Sequence, residues 1–531
     1  MPLSTEAPSY PHVPIDTILR AIREHNKPTK KHVVILGAGM AGMVAARELL
    51  AVGHTVEILE GSDRVGGRVM THHFKDGTYA ELGAMRVPSS HDYTLHYIKA
   101  LGLDPKLIPF INSTNAGFWD LHDVIARKNE AQAKIYPLFD FSEYLKQNTP
   151  SGGAIFGMLQ DNLINMLTEA EKAAMFEGRA DTDFLRYLST LSLGQFLLEA
   201  AGFNTREVIG LFTSLEVWWD KALTMFLRDE MVGTGVGLQT LDGGLSQLPD
   251  KLGEQLERHI LKRKEVLAVR RLANGADVVI RDRATQQIET KHCDYLLCTI
   301  PFSVLRRLEL TGFSFDKVRA VRSMSYANAT KVAIDCKERF WQSKYGIFGG
   351  SSVSDHIQRQ TYYPVNELPV EVTPQAADDF AQTPHRRAGL HSAALEDPRI
   401  ATRGISAQAA RDSDKRPGAL LGAYCWDRDA RRLGAVSNDE RARIVVENIR
   451  RFHPEIDQYV VDHASIDWEE HHWTGGAFCF LQPGELEAYY PAAIRPEGRV
   501  FFAGEHCSTD QGWIQGALIA SLRAVDEIVS V

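Results

Sequence analysis

Hydrophobic positions near the start of the chain predict a strand, a helix and a second strand. His32–Leu36 is an almost continuous apolar run, which is typical of a parallel strand buried on both faces. The residues that follow are rich in Ala, Met and Leu and predict a helix that Gly53 ends. Thr55–Leu59 is apolar again. This order predicts a βαβ unit within a parallel sheet.

The rest of the chain shows helical stretches and further strands. Helical signals dominate from about residue 120 to 232, and 266–270 and 278–281 flank Asn274-Gly275, a strong hairpin signal. More strands are predicted at 294–299, 330–334, 418–426 and 499–505, before a final helix at 514–531. Residues 366–417 have little periodicity and predict a surface excursion. The fold class is therefore α/β, and α+β overall.

Composition narrows the class of protein. A chain of 531 residues is too long for one core and predicts two or three domains. Its net charge of −9 and the lack of Lys/Arg runs among aromatic residues argue against nucleic acid or a membrane as partner. Six cysteines stand singly, so neither a disulfide framework nor a metal site is expected. No apolar stretch approaches about 18 residues, so we expect a cytoplasmic protein by default, with secretion left open.

A glycine motif follows the first strand. Gly37, Gly39 and Gly42 form G-x-G-x-x-G, which permits a tight turn, a close approach of backbone to a pyrophosphate, and close packing of helix on strand. Met40 and Ala41 open the helix, whose unpaired N–H groups then face the phosphates. Glu60 comes about 20 residues later, where an acid can accept both hydroxyls of an adenosine ribose. The motif predicts a Rossmann-type dinucleotide site that disfavours NADP.

The residues after Glu60 favour FAD over NAD. Gly61 follows directly, and the run Arg64-Val65-Gly66-Gly67-Arg68 resembles the R-x-G-G-R element of two-domain flavoproteins. In that element an arginine and nearby amides reach the pyrophosphate from its other side. The alternative is a merely basic surface turn.

Several further motifs extend this resemblance from His32 to the last helix. They are Leu82-Gly83-Ala84-Met85-Arg86-Val87-Pro88, Asp242-Gly243-Gly244, Ala329-Thr330-Lys331, Trp468 with Gly475-Gly476, and Phe502-Ala503-Gly504-Glu505 before Gly512-Trp513. Together with the glycine motif they resemble an L-amino acid oxidase of the flavin monoamine oxidase superfamily. Residues 366–417 are the main stretch without a match.

The resemblance implies a domain plan and an activity. The FAD domain would comprise residues 30–95, 235–320 and 465–531. A mixed-sheet substrate domain would comprise residues 1–29, 96–120 and 321–464, and a helical domain would comprise residues 121–234. The implied reaction transfers a hydride from an L-amino acid to flavin, and gives a 2-oxo acid, ammonia and, with O2, H2O2. The expected partners are the small-molecule amino acid and O2, and a homo-oligomer, dimer or larger, is expected.

The cofactor residues implied by the motifs are spread over the chain. They are Gly37, Gly39, Met40, Ala41, Gly42, Glu60, Gly61, Gly67, Arg68, Gly83, Ala84, Met85, Arg86, Val266, Trp468, Gly504, Glu505, Gly512, Trp513 and Ile514. The FAD is expected to be non-covalent. Relatives with covalent FAD carry a cysteine directly after the glycine pair, where this chain has Ala477, and Cys479 comes too late.

Three residues are predicted to handle the reacting end of the substrate. The fork of Arg86 matches a carboxylate, and the alternative is a structural arginine that pairs with Glu81 or Asp92. Tyr424 corresponds to a tyrosine that donates to the same carboxylate, or merely packs. Lys331 corresponds to the lysine that holds a water near flavin N5, with an edge-strand lysine facing solvent as the alternative.

Selectivity for the substrate side chain is expected from apolar residues. Trp513 and Gly512 would line the flavin side, and the remaining candidates are Trp218, Trp219, Ala477 and Phe478. These favour Phe, Tyr, Trp, Leu and Met, while Asp220 and Glu216 leave room for a basic side chain. The tandem tryptophans fit a core role equally well.

One departure from the family pattern leaves the general base open. The stretch 218–228 contains no histidine where venom-type oxidases carry one. Three other functions stay open: a monooxygenase that converts an amino acid to an amide, an amine or polyamine oxidase, and a flavin-binding scaffold without turnover.

Overall fold

A computed structural model describes residues 13–139, 161–199, 216–364 and 416–531. Its helices are Ile15–His25, Met40–Ala51, Asp92–Ala100, Ala131–Lys134, Glu169–Phe176, Asp183–Ser189, Leu193–Glu199, Leu223–Val232, Gln247–Leu256, Phe302–Leu305, Phe315–Ser323, Phe340–Ser343, Asp427–Gly434, Asn438–Ile449, Glu485–Ile494 and Ile514–Ser530. Single 3₁₀ turns lie at Asp104–Lys106, Lys128–Glu130, Tyr136–Leu138, Glu216–Trp218, Glu257–His259, Ile456–Gln458 and Glu505–Cys507. The surface excursion predicted for 366–417 lies outside the described residues except at its last two positions.

A five-stranded sheet, here called the parallel sheet, contains the first predicted strands. Its order is Val500–Phe502, Tyr295–Cys298, His32–Leu36, Thr55–Leu59 and Ile260–Leu261. Every neighbouring pair is parallel. The central position of His32–Leu36 explains its apolar run, because residues 33–36 are buried on both faces. Strands distant in sequence therefore end side by side at one edge of this sheet.

The helix after the first strand is covered on both sides, which explains why it is apolar almost all round. Eight of the 12 residues of Met40–Ala51 are buried. One side packs on the parallel sheet and the other on the final helix, Ile514–Ser530, where the Ser521 hydroxyl donates to the Ala41 carbonyl at 2.7 Å. The helix Met40–Ala51 and the final helix therefore lie in one layer.

A second large sheet has seven strands and mixed direction. Its order is Val460–Asp467, Ala329–Cys336, Gly418–Trp426, Gln360–Tyr362, Ser351–Ser354, Phe118–Leu121 and Val124–Arg127. The neighbouring pairs are antiparallel except Ser351–Ser354 with Phe118–Leu121. Ala329–Cys336 is thus an interior strand, paired on both edges.

The predicted hairpin belongs to a four-stranded sheet. The order is Ile288–Cys293, Gly275–Asp282, Lys264–Leu272 and Glu309–Thr311. Short two-stranded pairs complete the structure: Thr71–His73 with Tyr79–Glu81, Leu107–Pro109 with Gln239–Leu241, and Tyr326–Ala327 with Phe478–Cys479. The α/β class is confirmed, whereas the division into three domains stays a prediction. In the ranges described, no helix has the length and apolar character needed to cross a membrane.

Candidate active site

A cavity of about 360 Å³ connects the two large sheets. At one end it lies beyond the carboxyl ends of the parallel strands, lined by Gly37, Glu60, Thr299 and Gly504. Ligands of open α/β sheets bind at this edge because helix N-termini and loops converge there. At the other end it reaches side chains of the seven-stranded sheet, including Lys331. The cavity therefore joins the edge of the parallel sheet where dinucleotides bind to the side chains of the seven-stranded sheet.

The nucleotide end of the cavity is built from backbone amides and one acid. Glu60 accepts hydrogen bonds from the amides of Ala38 at 2.7 Å and Ser62 at 2.8 Å, which fix its carboxylate at the cavity wall. Gly39 precedes the helix N-terminus, and a Cβ added there would meet nothing within 4 Å. The backbone at this point is open to the cavity, as close contact with a pyrophosphate requires.

Gly42 differs from the other predicted cofactor residues because it does not line the cavity. A Cβ on Gly42 would lie 2.0 Å from the carbonyl oxygen of Gly37. Its lack of a side chain lets the helix pack against the turn, so its contact is with protein. The assignment of Gly42 as a cofactor contact is corrected to this packing role.

An ion pair connects the glycine turn with the last part of the chain. Arg68 Nη1 donates to Glu505 Oε1 at 2.7 Å, and Glu505 is only 4% exposed. Glu505 also accepts from the amides of Cys479 and Gly512 at 3.1 and 3.0 Å. Three distant segments are thus fixed around one carboxylate at the cavity wall. An amide-held acid, an open helix N-terminus and a cation suit the ribose and pyrophosphate of a dinucleotide, so the residues present fit FAD.

Arg86 lies in the cavity against neutral partners. Its Nη1 donates to Asn112 Oδ1 at 2.7 Å, and its guanidinium lies 6.0 Å from the ring centre of Phe110. Within the described chain no carboxylate lies within 4 Å of it. The alternative pairing is wrong, because Glu81 accepts from Thr71 and the Leu245 amide, and Asp92 from Gln515.

Lys331 is buried in the middle of the seven-stranded sheet. It is 2% exposed, so the alternative of a solvent-facing edge lysine is wrong. Its Nζ donates to the carbonyl of Gly83 at 2.6 Å and lies 4.4 Å from the ring centre of Tyr424. Burial lowers the pKa of Lys331, and the charge of Arg86 lowers it further, while nearby Glu81 opposes the shift.

Tyr424 and Trp426 lie on the strand next to Lys331 and line the same cavity. Burial raises the pKa of Tyr424 to about 12, so its hydroxyl remains a proton donor at neutral pH. Alternating positions on a strand face the same side, which brings both rings to the cavity.

Aromatic rings form much of the remaining wall. The indole N–H of Trp513 donates to Asp229 Oδ1 at 2.8 Å, and that of Trp468 to the Leu82 carbonyl at 2.9 Å. Trp218 packs edge-on against Phe480 at 4.6 Å. These contacts fix the orientation of each indole at the cavity.

Most predicted site residues meet in this cavity. Those lining it are Gly37, Gly39, Met40, Ala41, Glu60, Gly61, Gly67, Arg68, Gly83, Ala84, Met85, Arg86, Trp218, Val266, Lys331, Tyr424, Trp468, Ala477, Phe478, Gly504, Glu505, Gly512, Trp513 and Ile514. Their individual roles stay predictions.

Two residues that the sequence predicts to contact the substrate side chain do not line the cavity. Trp219 does not line it, because its ring lies over Gly194, where an added Cβ would come within 2.5 Å. Asp220 is exposed and lies 3.4 Å from Arg428. The side chain of Glu216 lies outside the described residues. A site for a basic substrate side chain at Asp220 is therefore not supported.

Sequence reasoning missed several lining residues. They are Asn112, Asp229, Gln360, Tyr362, Trp426 and Phe480. Gln360 and Tyr362 stand two apart on a short strand, so period-two alternation was a usable signal for them. Asn112 lies in a loop, where no periodicity points to a face.

The comparisons agree with this geometry. Residues 40–529 match the family described as flavin containing amine oxidoreductase. The chain belongs to this family. FAD is therefore its cofactor, and it is an oxidoreductase of the flavin amine and amino acid oxidase type.

Relatives cover nearly the whole chain. The flavin-dependent L-tryptophan oxidase RebO of Lentzea aerocolonigenes is 34% identical over 517 residues, which cover 94% of this chain and 98% of the relative. An L-amino-acid oxidase of Siganus canaliculatus is 27% identical, with 94% and 85% covered. A solved putrescine oxidase with bound putrescine has a TM-score of 0.68 at 17% identity and covers 95% of this chain and 100% of that one. At this identity the likeness to the solved structure concerns the fold alone.

Proposed function

We propose that the chain is an FAD-dependent oxidase of L-amino acids with large apolar or aromatic side chains, which forms 2-oxo acids, ammonia and H2O2. The observation that carries this proposal is the environment of Arg86. Among the described residues Arg86 has no acidic partner, and its guanidinium faces the cavity. Such a group is suited to a ligand carboxylate, because a fork of N–H donors matches its two oxygens. Amines without a carboxylate would leave this charge unpaired.

The relatives support the same assignment. RebO is named an L-tryptophan oxidase, and the relative from Siganus canaliculatus is named an L-amino-acid oxidase. Both names describe oxidation of a substrate that carries an α-carboxylate. The solved putrescine oxidase shares the fold at much lower identity.

Arg86, Tyr424 and Lys331 have different roles in binding and orienting the substrate. Arg86 holds the substrate carboxylate, and the protonated hydroxyl of Tyr424 supplies a further donor. FAD, when bound, supplies the acceptor for a hydride from Cα. Lys331 orients a water beside the reacting atoms and places a positive charge there. No side-chain base is assigned to the substrate ammonium.

The wall around the substrate side chain explains the proposed preference. Trp218, Met225, Leu238, Phe478 and Phe480 line the cavity with apolar surface. Such a wall favours Phe, Tyr, Trp, Leu and Met, because each buried CH₂ contributes about 0.8 kcal/mol. The acid that lines this region, Asp229, accepts the indole N–H of Trp513.

The decisive experiment is a product assay on the holoenzyme with a panel of proteinogenic L-amino acids. H2O2, ammonia, 2-oxo acid and amide are each quantified, with matched amines such as phenethylamine as controls. In air-saturated buffer without catalase, we expect 2-oxo acid, ammonia and H2O2 to form at equal initial rates. These rates should be largest for aromatic substrates. Amide as the main product would identify a monooxygenase. Faster turnover of the amines than of the amino acids would identify an amine oxidase, and a lack of any turnover would identify a scaffold. Each of these results would overturn the proposal.

A further inference from the structure

Arg86 is oriented by a chain of neutral hydrogen-bonding groups. Asn112 Oδ1 accepts from Arg86 Nη1 at 2.7 Å. The hydroxyl of Tyr362 lies 3.2 Å from the same oxygen and 2.9 Å from Gln360 Oε1. All four side chains line the cavity. An amide oxygen accepts a hydrogen bond without carrying a charge, so it directs the guanidinium and leaves its charge for a ligand.

The backbone of Asn112 is fixed from behind by a buried lysine. The Ser351 hydroxyl donates to the Asn112 carbonyl at 2.8 Å. Lys128 Nζ donates to the hydroxyls of Ser113 at 2.6 Å and Ser351 at 3.3 Å. Burial lowers the pKa of Lys128 to about 7, and no acid among the described residues offsets this effect. A buried lysine that donates to serine hydroxyls and has no acidic partner among the described residues is costly, which indicates that the geometry of this loop matters.

We propose that Asn112 is the positioning residue of the carboxylate site, which orients Arg86 while leaving its charge uncancelled. This inference rests on the proposed function, because it assigns the ligand of Arg86 as a carboxylate. A carboxylate at position 112 would occupy the donors of Arg86 and compete with the substrate. The uncharged side chain at this position therefore determines whether the site accepts an amino acid.

The test compares Asn112→Asp with a matched control in the holoenzyme. Asp is nearly isosteric with Asn, so the variant should fold and retain flavin, which absorbance and the melting temperature check. The control is Asn438→Asp, because exposed Asn438 also accepts from an arginine, Arg441 at 3.3 Å, but does not line the cavity. Benzoate serves as an inert carboxylate probe, and its Kd is read from the perturbed flavin spectrum.

We expect Asn112→Asp to raise the benzoate Kd and the KM for L-phenylalanine by about 100-fold, since pairing Arg86 internally removes interactions of the size found for desolvated charge pairs. The kcat/KM for phenethylamine should instead rise, because the new carboxylate pairs the Arg86 charge that an amine leaves unpaired. Asn438→Asp should change none of these values by more than about twofold. Asn112→Leu, which removes the acceptor without adding charge, should raise the same Kd by about tenfold.

A double mutant separates positioning from a general structural role. In the Arg86→Ala background, the neutral substitution Asn112→Leu should add less than about a threefold further loss in kcat/KM for L-phenylalanine, because its target is gone. An equal loss in both backgrounds, or equal losses for L-phenylalanine and phenethylamine, would overturn the inference while leaving the proposed function intact. Wild-type protein that neither binds benzoate nor oxidises any amino acid would overturn the proposed function itself, and this inference with it.

Discussion

The ammonium group of Lys331 lies 2.6 Å from the carbonyl oxygen of Gly83. This contact joins an interior strand of the seven-stranded sheet to the loop that leads to Arg86. Because the two residues are 248 positions apart, their meeting depends on how the sheets pack against one another. It places the lysine side chain beside the segment that carries Arg86.

We expect Lys331→Met to bind FAD and substrate but to lose most oxidase turnover, because the positive charge and the oriented water disappear. Stopped-flow measurement of the reductive and oxidative half-reactions checks this. If both rates stay within about twofold of wild type, Lys331 has only a structural role. Lys317→Met is the matched control, since Lys317 is equally buried but donates to the Ala493 carbonyl away from the cavity.

Arg86→Ala should lower kcat/KM for L-phenylalanine by about 30-fold to several thousand-fold, as expected for loss of roughly 2–5 kcal/mol from a desolvated charge pair. Arg86→Lys should recover only part of this loss, because an ammonium lacks the planar fork. The preference for phenethylamine over phenylalanine should rise in Arg86→Ala. Equal slowing of both substrates would show instead that Arg86 supports the fold or the flavin.

The FAD should be released by acid precipitation, because Ala477 stands where covalent relatives carry a cysteine. Absorbance of the supernatant and the pellet measures the partition of flavin. Cys479→Ala is the control for the nearby thiol, and it should release FAD equally, since the Cys479 side chain is buried and does not line the cavity. Flavin that stays with the precipitated wild-type protein would contradict this expectation.

Gly39→Ala and Gly42→Ala should separate cofactor binding from stability. At Gly42 the new methyl group meets the Gly37 carbonyl, so we expect a loss of about 1–3 kcal/mol in the free energy of unfolding of the apoprotein. At Gly39 the space is open and the backbone is extended, so apoprotein stability should change little while FAD affinity falls. Thermal unfolding with and without FAD checks both. The reverse pattern would contradict the roles assigned to the two glycines.

The sequence by itself determined the local elements and the cofactor. The runs 32–36 and 55–59, the hairpin and the strand Gly418–Trp426 follow from local hydrophobic pattern and turn chemistry, and the structure confirms them. The turn of the hairpin lies one position earlier than predicted, at Ala273 and Asn274, because Gly275 already pairs with Leu272. The glycine motif and Glu60 predict the dinucleotide site, because the strand, turn and helix that form it are contiguous in the sequence.

Only the tertiary structure decided which side chains share the cavity. Trp218 and Trp219 are adjacent and chemically equal in sequence, yet one lines the cavity and the other packs over Gly194. Asn112 reaches Arg86 through loop and sheet packing that no short-range pattern encodes. The physical reason is that periodicity specifies a buried face, whereas the neighbours on that face depend on the packing of segments far apart in the chain.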